Sequence, residues 1–138
     1  MAVSETKLME LVDLAREAAK RAWCPYSHYP VGAAVLAEDG TVYTGCNIEN
    51  ASYGLSNCAE RTAIFKAVSS GARSFQALAV VGGEKEPAKP CGACRQVMVE
   101  FCGPEMPVII GCLAGKDFIR TTVGDLLPLS FSTHNLDK

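Results

Sequence analysis

Along residues 4–22 the apolar positions Leu8, Leu11, Val12, Ala15, Ala18, Ala19 and Ala22 recur at the helical period, and Glu10, Glu17, Lys20 and Arg21 fill the opposite face. That is the pattern of an amphipathic helix with one buried stripe. Ser4 is placed to cap its start, and Pro25 stops it soon after Trp23. Two short β-prone runs follow, 31–36 and 41–46, with Glu38-Asp39-Gly40 between them. An Asp-Gly pair in that setting predicts a hairpin. Residues 47–57 are too rich in Asn, Ser and Gly to be core and read as a polar loop. A second helix is predicted over 58–70, ended by Gly71, then a buried strand over 75–81 and an exposed loop closing on Pro90. A third helix over 91–102 stops at Gly103-Pro104, and strands over 108–113 and 118–122 precede a short tail. The order α-β-β-α-β-α-β-β predicts an α/β fold, a mixed sheet sandwiched by helices. No repeat, linker or low-complexity segment interrupts it.

Composition narrows the class. The chain has 138 residues, 49% hydrophobic and 20% charged, so residues 1–138 are expected to form one domain that buries roughly two-thirds of its unfolded surface. No apolar run approaches the roughly 20 residues of a membrane helix. The first residues are broken by charges every few positions, unlike a signal peptide. With 13 Lys+Arg against 15 Asp+Glu the net charge is -2, which argues against a nucleic-acid partner, because phosphate binding normally needs a basic face. Seven cysteines, an odd number without a secretion signal, fit reduced thiols and a cytoplasmic location better than a disulfide framework.

Which of those thiols carry chemistry follows from spacing. Cys91 and Cys94, directly after Pro90, fall at i and i+3 on the first turn of the third helix, where two sulfurs share one face. A lone CxxC reads equally as a redox pair or as chance. Cys58, opening the second helix, sharpens it. That helix runs about 20 Å outward at 1.5 Å per residue, and the next strand returns about 23 Å at roughly 3.3 Å per residue. The chain is thus back at the start of the second helix when Cys91 arrives. Three thiols then meet at two positive helix ends, which favour the thiolate a zinc ligand must be. Three ligands leave a fourth position for water, the mark of a catalytic rather than a structural zinc. Glu60 stands beside that position as a proton carrier. The competing structural reading of Glu60 is a capping box with Asn57 as N-cap.

Cys58-Ala59-Glu60 with Pro90-Cys91-Gly92-Ala93-Cys94 is the three-cysteine form of the zinc deaminase signature. More specifically, four stretches resemble the small zinc-dependent cytidine deaminases: Tyr26 to Ala34, Gly45 to Tyr53, Cys58 to Ala63 and Pro90 to Val97. The late Leu126-Leu127-Pro128 with Phe131 matches as well. The resemblance implies a three-layer α/β/α sandwich with a mixed five-stranded sheet, and a homotetramer with active sites at subunit interfaces. It also implies one Zn2+ per subunit held by Cys58, Cys91 and Cys94. A free pyrimidine nucleoside, cytidine or deoxycytidine, would be hydrolysed to its uracil counterpart and ammonia in pyrimidine salvage, with Glu60 as proton shuttle.

By the same resemblance, Asn47 and Glu49 bind the ribose, and Ala51 and Tyr53 meet the 5′-hydroxyl from a neighbouring subunit. Ala59 also contacts substrate, and Tyr29 and Phe131 stack on the pyrimidine. Most relatives have Phe at the Tyr29 position, and Ser132 stands where Gly is common. Three thiolates on one Zn2+ leave a formal charge of -1, which Arg61 and Arg95 are expected to offset by donating to sulfur. The plainer reading of each is an exposed helix arginine, just as turn chemistry is the plainer reading of Asn47. Cys24, Cys46, Cys102 and Cys112 read as packing residues and His28 and His134 as loop residues. A blasticidin-type deaminase, a polynucleotide deaminase, a structural zinc module and a thioredoxin-like redox protein are the competing classes. Each leaves part of the pattern unused.

Overall fold

The structure is a computed structural model that describes residues 3–136. Helix α1 (Glu5–Ala19) is capped by the Ser4 side chain, which accepts the Lys7 amide. It ends three residues earlier than its apolar stripe suggests. Beyond Lys20 the chain turns, and the Trp23 amide donates to the Asn47 carbonyl instead of continuing the helix. Strands β1 (Val31–Ala37) and β2 (Val42–Cys46) form the expected hairpin. Helix α2 (Ala59–Ser69), strand β3 (Phe75–Gly82), helix α3 (Gly92–Phe101) and strands β4 (Pro107–Gly111) and β5 (Phe118–Thr122) follow. A four-residue helix α4 (Val123–Leu126) closes the regular part, and single 3-10 turns lie at Tyr53–Leu55 and Thr133–Asn135. Cys112 lies just past β4 rather than inside a strand, buried all the same.

The five strands lie in the order β2-β1-β3-β4-β5. Only β3 and β4 are parallel, joined by α3 as crossover; the other neighbours are antiparallel. Alternate residues separate the two faces, as the period of a strand requires. Ala33, Val35, Leu78, Val80, Val108 and Ile110 pack with α2 and α3, while Ala34, Leu36, Ala77, Ala79, Val81 and Ile109 pack with α1. The central strands are therefore apolar throughout, covered by helices on both sides. These are the three layers of the expected α/β/α sandwich.

Two glycines set how close the helices come. A Cβ on Gly32 would stand 1.9 Å from the Ala15 carbonyl oxygen, and one on Gly45 would stand 2.5 Å from the Ala63 amide nitrogen. The second contact lowers the start of α2 onto β2. Register then fixes the site: Gly32 pairs with Cys46, Val31 with Gly82 and Val81 with Gly111, so β2, β3 and β4 all finish at one edge of the sheet. Both α2 and α3 begin above that edge.

Candidate active site

Cys58 is the N-cap of α2 and Cys91 the N-cap of α3; both have extended backbone and neither side chain caps its own helix. Their sulfurs are free to face each other. Sγ of Cys58 lies 3.6 Å from Sγ of Cys91, and Cys91 lies 3.5 Å from Cys94, one turn into α3. Among the described residues these three are the one metal-capable group, all ligand atoms within 4.8 Å of one another. Two sulfurs each about 2.3 Å from a tetrahedral zinc stand roughly 3.8 Å apart, so the spacing fits that ion. Cys94 is fully buried, Cys58 partly so, and Cys91 reaches the surface.

Hydrogen bonding with Cys94 is the main cause holding Cys58 down to about 5, with Arg61 and Cys91 adding to it. The same interaction, together with burial, drives Cys94 upward. Cys58, at the positive end of a helix, is thus favoured as the thiolate of that pair. Arg61 Nη2 donates to Cys58 Sγ at 3.4 Å, and its buried Nε has no hydrogen-bond partner among the described residues. Arg95 does not take the second such role. Its Nε donates to the Pro90 carbonyl and its Nη1 to the Leu126 carbonyl, both at 2.8 Å. That guanidinium ties α4 to the start of α3 instead of balancing sulfur.

Glu60 is 4% exposed. Loss of water around its carboxyl, augmented by the Cys58 charge, pushes it up to about 7. The capping-box alternative fails on geometry. Cys58, not Asn57, occupies the N-cap, and Asn57 Nδ2 donates to Thr62 Oγ1 at 3.1 Å. Glu60 instead faces a cavity of about 360 Å³ with Cys58, Ala59, Cys91, Tyr29, Asn47 and Glu49 around it. That volume lies within the range of small-molecule sites, which starts at roughly 300 Å³.

Asn47 spans the wall, its Nδ2 donating to the Tyr29 carbonyl and its Oδ1 accepting from the Val31 amide. Glu49 accepts the Tyr26 and Ser27 amides. The cavity also includes Ser27, Lys89 and Ala88, which sequence reasoning missed. Lys89 had a signal in its position two residues before Cys91, whereas Ser27 lies in a turn whose composition says nothing of a site. Ala51, Tyr53 and Phe131 lie outside it. Tyr53 is 74% exposed with its ring edge-on to Tyr26, and Phe131 is 60% exposed with its carbonyl accepting from Gln96. Cys102 is buried and pushed up to about 12 by desolvation, an inert thiol as expected. His28 stands in a left-handed turn, at φ 56.

Residues 5–110 match the family model described as the cytidine and deoxycytidylate deaminase zinc-binding region, and that span holds all three thiols and Glu60. The chain belongs to this deaminase family. A cytidine deaminase of Sporosarcina psychrophila is 58% identical over 92% of the chain and 93% of its own length. One from Halalkalibacterium halodurans is 52% identical over 92% and 96% respectively. A crystal structure of cytidine deaminase from Burkholderia pseudomallei superposes with a TM-score of 0.86 at 48% identity, covering 94% of this chain and all of that one. The deaminase fold of that structure is the mixed-sheet sandwich described above. Among the described residues no helix is long and apolar enough to cross a membrane.

Proposed function

We propose that the protein hydrolyses cytidine and deoxycytidine to uridine and deoxyuridine, releasing ammonia. The observation that carries this reading is the meeting of three thiols with a buried carboxyl at the base of a nucleoside-sized cavity. Cys58, Cys91 and Cys94 would hold one zinc ion per subunit. When bound, such an ion lowers the pKa of its water toward about 7. Glu60, poised near 7, exchanges protons on either side of neutrality. It accepts the proton of the attacking water and delivers it to N3 of the pyrimidine, which makes C4 electrophilic. It then takes the remaining proton from the hydroxyl added at C4 and hands it to the departing amine, so the C4 carbonyl forms as the carbon–nitrogen bond breaks, one water is consumed and one ammonia is released. Arg61 holds the Cys58 sulfur and offsets thiolate charge.

Asn47 and Glu49, at the mouth of the same cavity, offer an amide and a carboxylate to the sugar hydroxyls, and Tyr29 offers a ring to the base. Ala51, Tyr53 and Phe131 would complete the site of a neighbouring copy in a homotetramer. Support comes from large apolar side chains that face solvent in one chain, Trp23 at 60% and Leu55 at 72% exposed. Seven free cysteines suit a reducing cytoplasm and a role in pyrimidine salvage. The test is the ultraviolet absorbance of cytidine incubated with zinc-loaded protein, with and without a chelator. Absorbance should fall, stop falling on chelation and resume when zinc is restored. Intact cytidine and deoxycytidine after exposure to zinc-loaded protein would redirect the assignment to another aminated ring.

A further inference from the structure

Glu49 is held by one short turn. Its Oε1 accepts the Tyr26 amide at 3.0 Å and the Ser27 amide at 3.1 Å. Its Oε2 accepts the Ser27 hydroxyl in a short contact. The Ser27 oxygen in turn accepts the Tyr29 amide at 3.1 Å, so its proton is directed at Glu49 while its lone pair anchors the residue two positions on. Asn47 fastens the same segment two residues further on, through Tyr29 and Val31. His28, in its left-handed conformation, bends the chain tightly enough for all of these bonds to form together. Ser27 and Glu49 both line the cavity that Glu60, Cys58 and Cys91 also line.

A carboxylate has about four lone-pair directions, and this turn takes three of them. What is left points away from the turn. Among the described residues the Ser27 hydroxyl is the only donor that reaches Oε2; without it the carboxylate would keep only the Oε1 bonds and be free to turn about them. Holding a group in its binding geometry beforehand lowers the entropy lost when a ligand is bound.

We propose that Ser27 is a positioning residue that fixes the Glu49 carboxylate for a sugar hydroxyl, and so sets the preference for hydroxyl-bearing over hydroxyl-free sugars. This rests on the reading of Glu49 as a sugar contact. Ser27 touches no reacting atom in this scheme, and its effect passes entirely through Glu49.

The experiment compares cytidine with 2′,3′-dideoxycytidine as substrates of the zinc-loaded protein and of Ser27→Ala, Ser27→Thr and Glu49→Gln. Losing a hydrogen bond to a charged group should lower kcat/KM for cytidine roughly tenfold in Ser27→Ala, mostly through KM. The dideoxynucleoside should lose much less, so the ratio of the two kcat/KM values falls. Ser27→Thr, which keeps the hydroxyl, should restore that ratio. An equal loss for both substrates in Ser27→Ala, or no loss, overturns the inference, because a turn-holding role makes no distinction between sugars. If Glu49→Gln lowers the ratio and Ser27→Ala does not, the sugar reading of Glu49 stands and the role of Ser27 falls. An unchanged ratio in Glu49→Gln overturns both.

Discussion

Glu60 shows how one side chain can carry opposing effects on stability and chemistry. Burial raises its carboxyl from an ordinary 4.5 to about 7, so the folded protein holds this proton more tightly than the unfolded chain does. Its contribution to stability is therefore fully present below about pH 4.5 and is lost as pH rises through 7. Above neutrality the charged carboxylate is a cost on the order of 3 kcal/mol. In metal-free protein, Glu60→Gln should accordingly raise the urea midpoint at pH 8 and lose that advantage below pH 5. Equal midpoints at pH 8 would show that the carboxylate is not destabilised by its surroundings.

The cluster of Cys58, Cys91 and Cys94 was legible in the sequence because their spacing and two helix starts are local signals. Arg95 was not: its partners, the Pro90 and Leu126 carbonyls, are brought together only by the folded tail. Ser27 was hidden for the same reason, since a serine in a turn acquires meaning only when Glu49 arrives from another segment.

At the scale of elements, the site depends on how closely helices approach the sheet. Helix existence followed from apolar periodicity, but helix ends followed from competition. Ala22 continues the apolar stripe of α1, yet pairing of Trp23 with the 47–49 segment draws the chain away. Helix α4 has only four residues, too few for periodicity to register. At the start of α2 the N-cap falls one residue later than a capping box needs, which frees Cys58 and Glu60 for the cavity. The role of Gly32 likewise becomes visible only once α1 lies on β1. Gly32→Ala would press a methyl into the Ala15 carbonyl and should cost at least about 3 kcal/mol in urea unfolding. Gly54→Ala, where a Cβ meets nothing within 4 Å, is the matched control. Equal midpoints for the two variants would refute the close packing.

For the whole molecule, the order of elements conveys a mixed sheet between helices, and the apolar residues on both faces of the central strands are what the two helical layers cover. Strand order is less visible: nothing local tells β3 to lie between β1 and β4. Least visible is how chains associate. The tail carries Leu129 and Phe131 into solvent, and in the proposed homotetramer another copy would meet them. Light scattering of the zinc-loaded protein should give a mass near four times the 14.7 kDa of one chain; a monomer would remove the proposed roles of Ala51, Tyr53 and Phe131. The proposed reaction is a metal-supported hydrolysis in which Glu60 moves the proton. The most direct measurement is cytidine turnover by zinc-loaded Glu60→Gln beside its parent, with metal content read on the same samples. Metal should stay at parental content while turnover falls by about 10²–10⁴-fold; undiminished turnover with zinc bound would contradict the account.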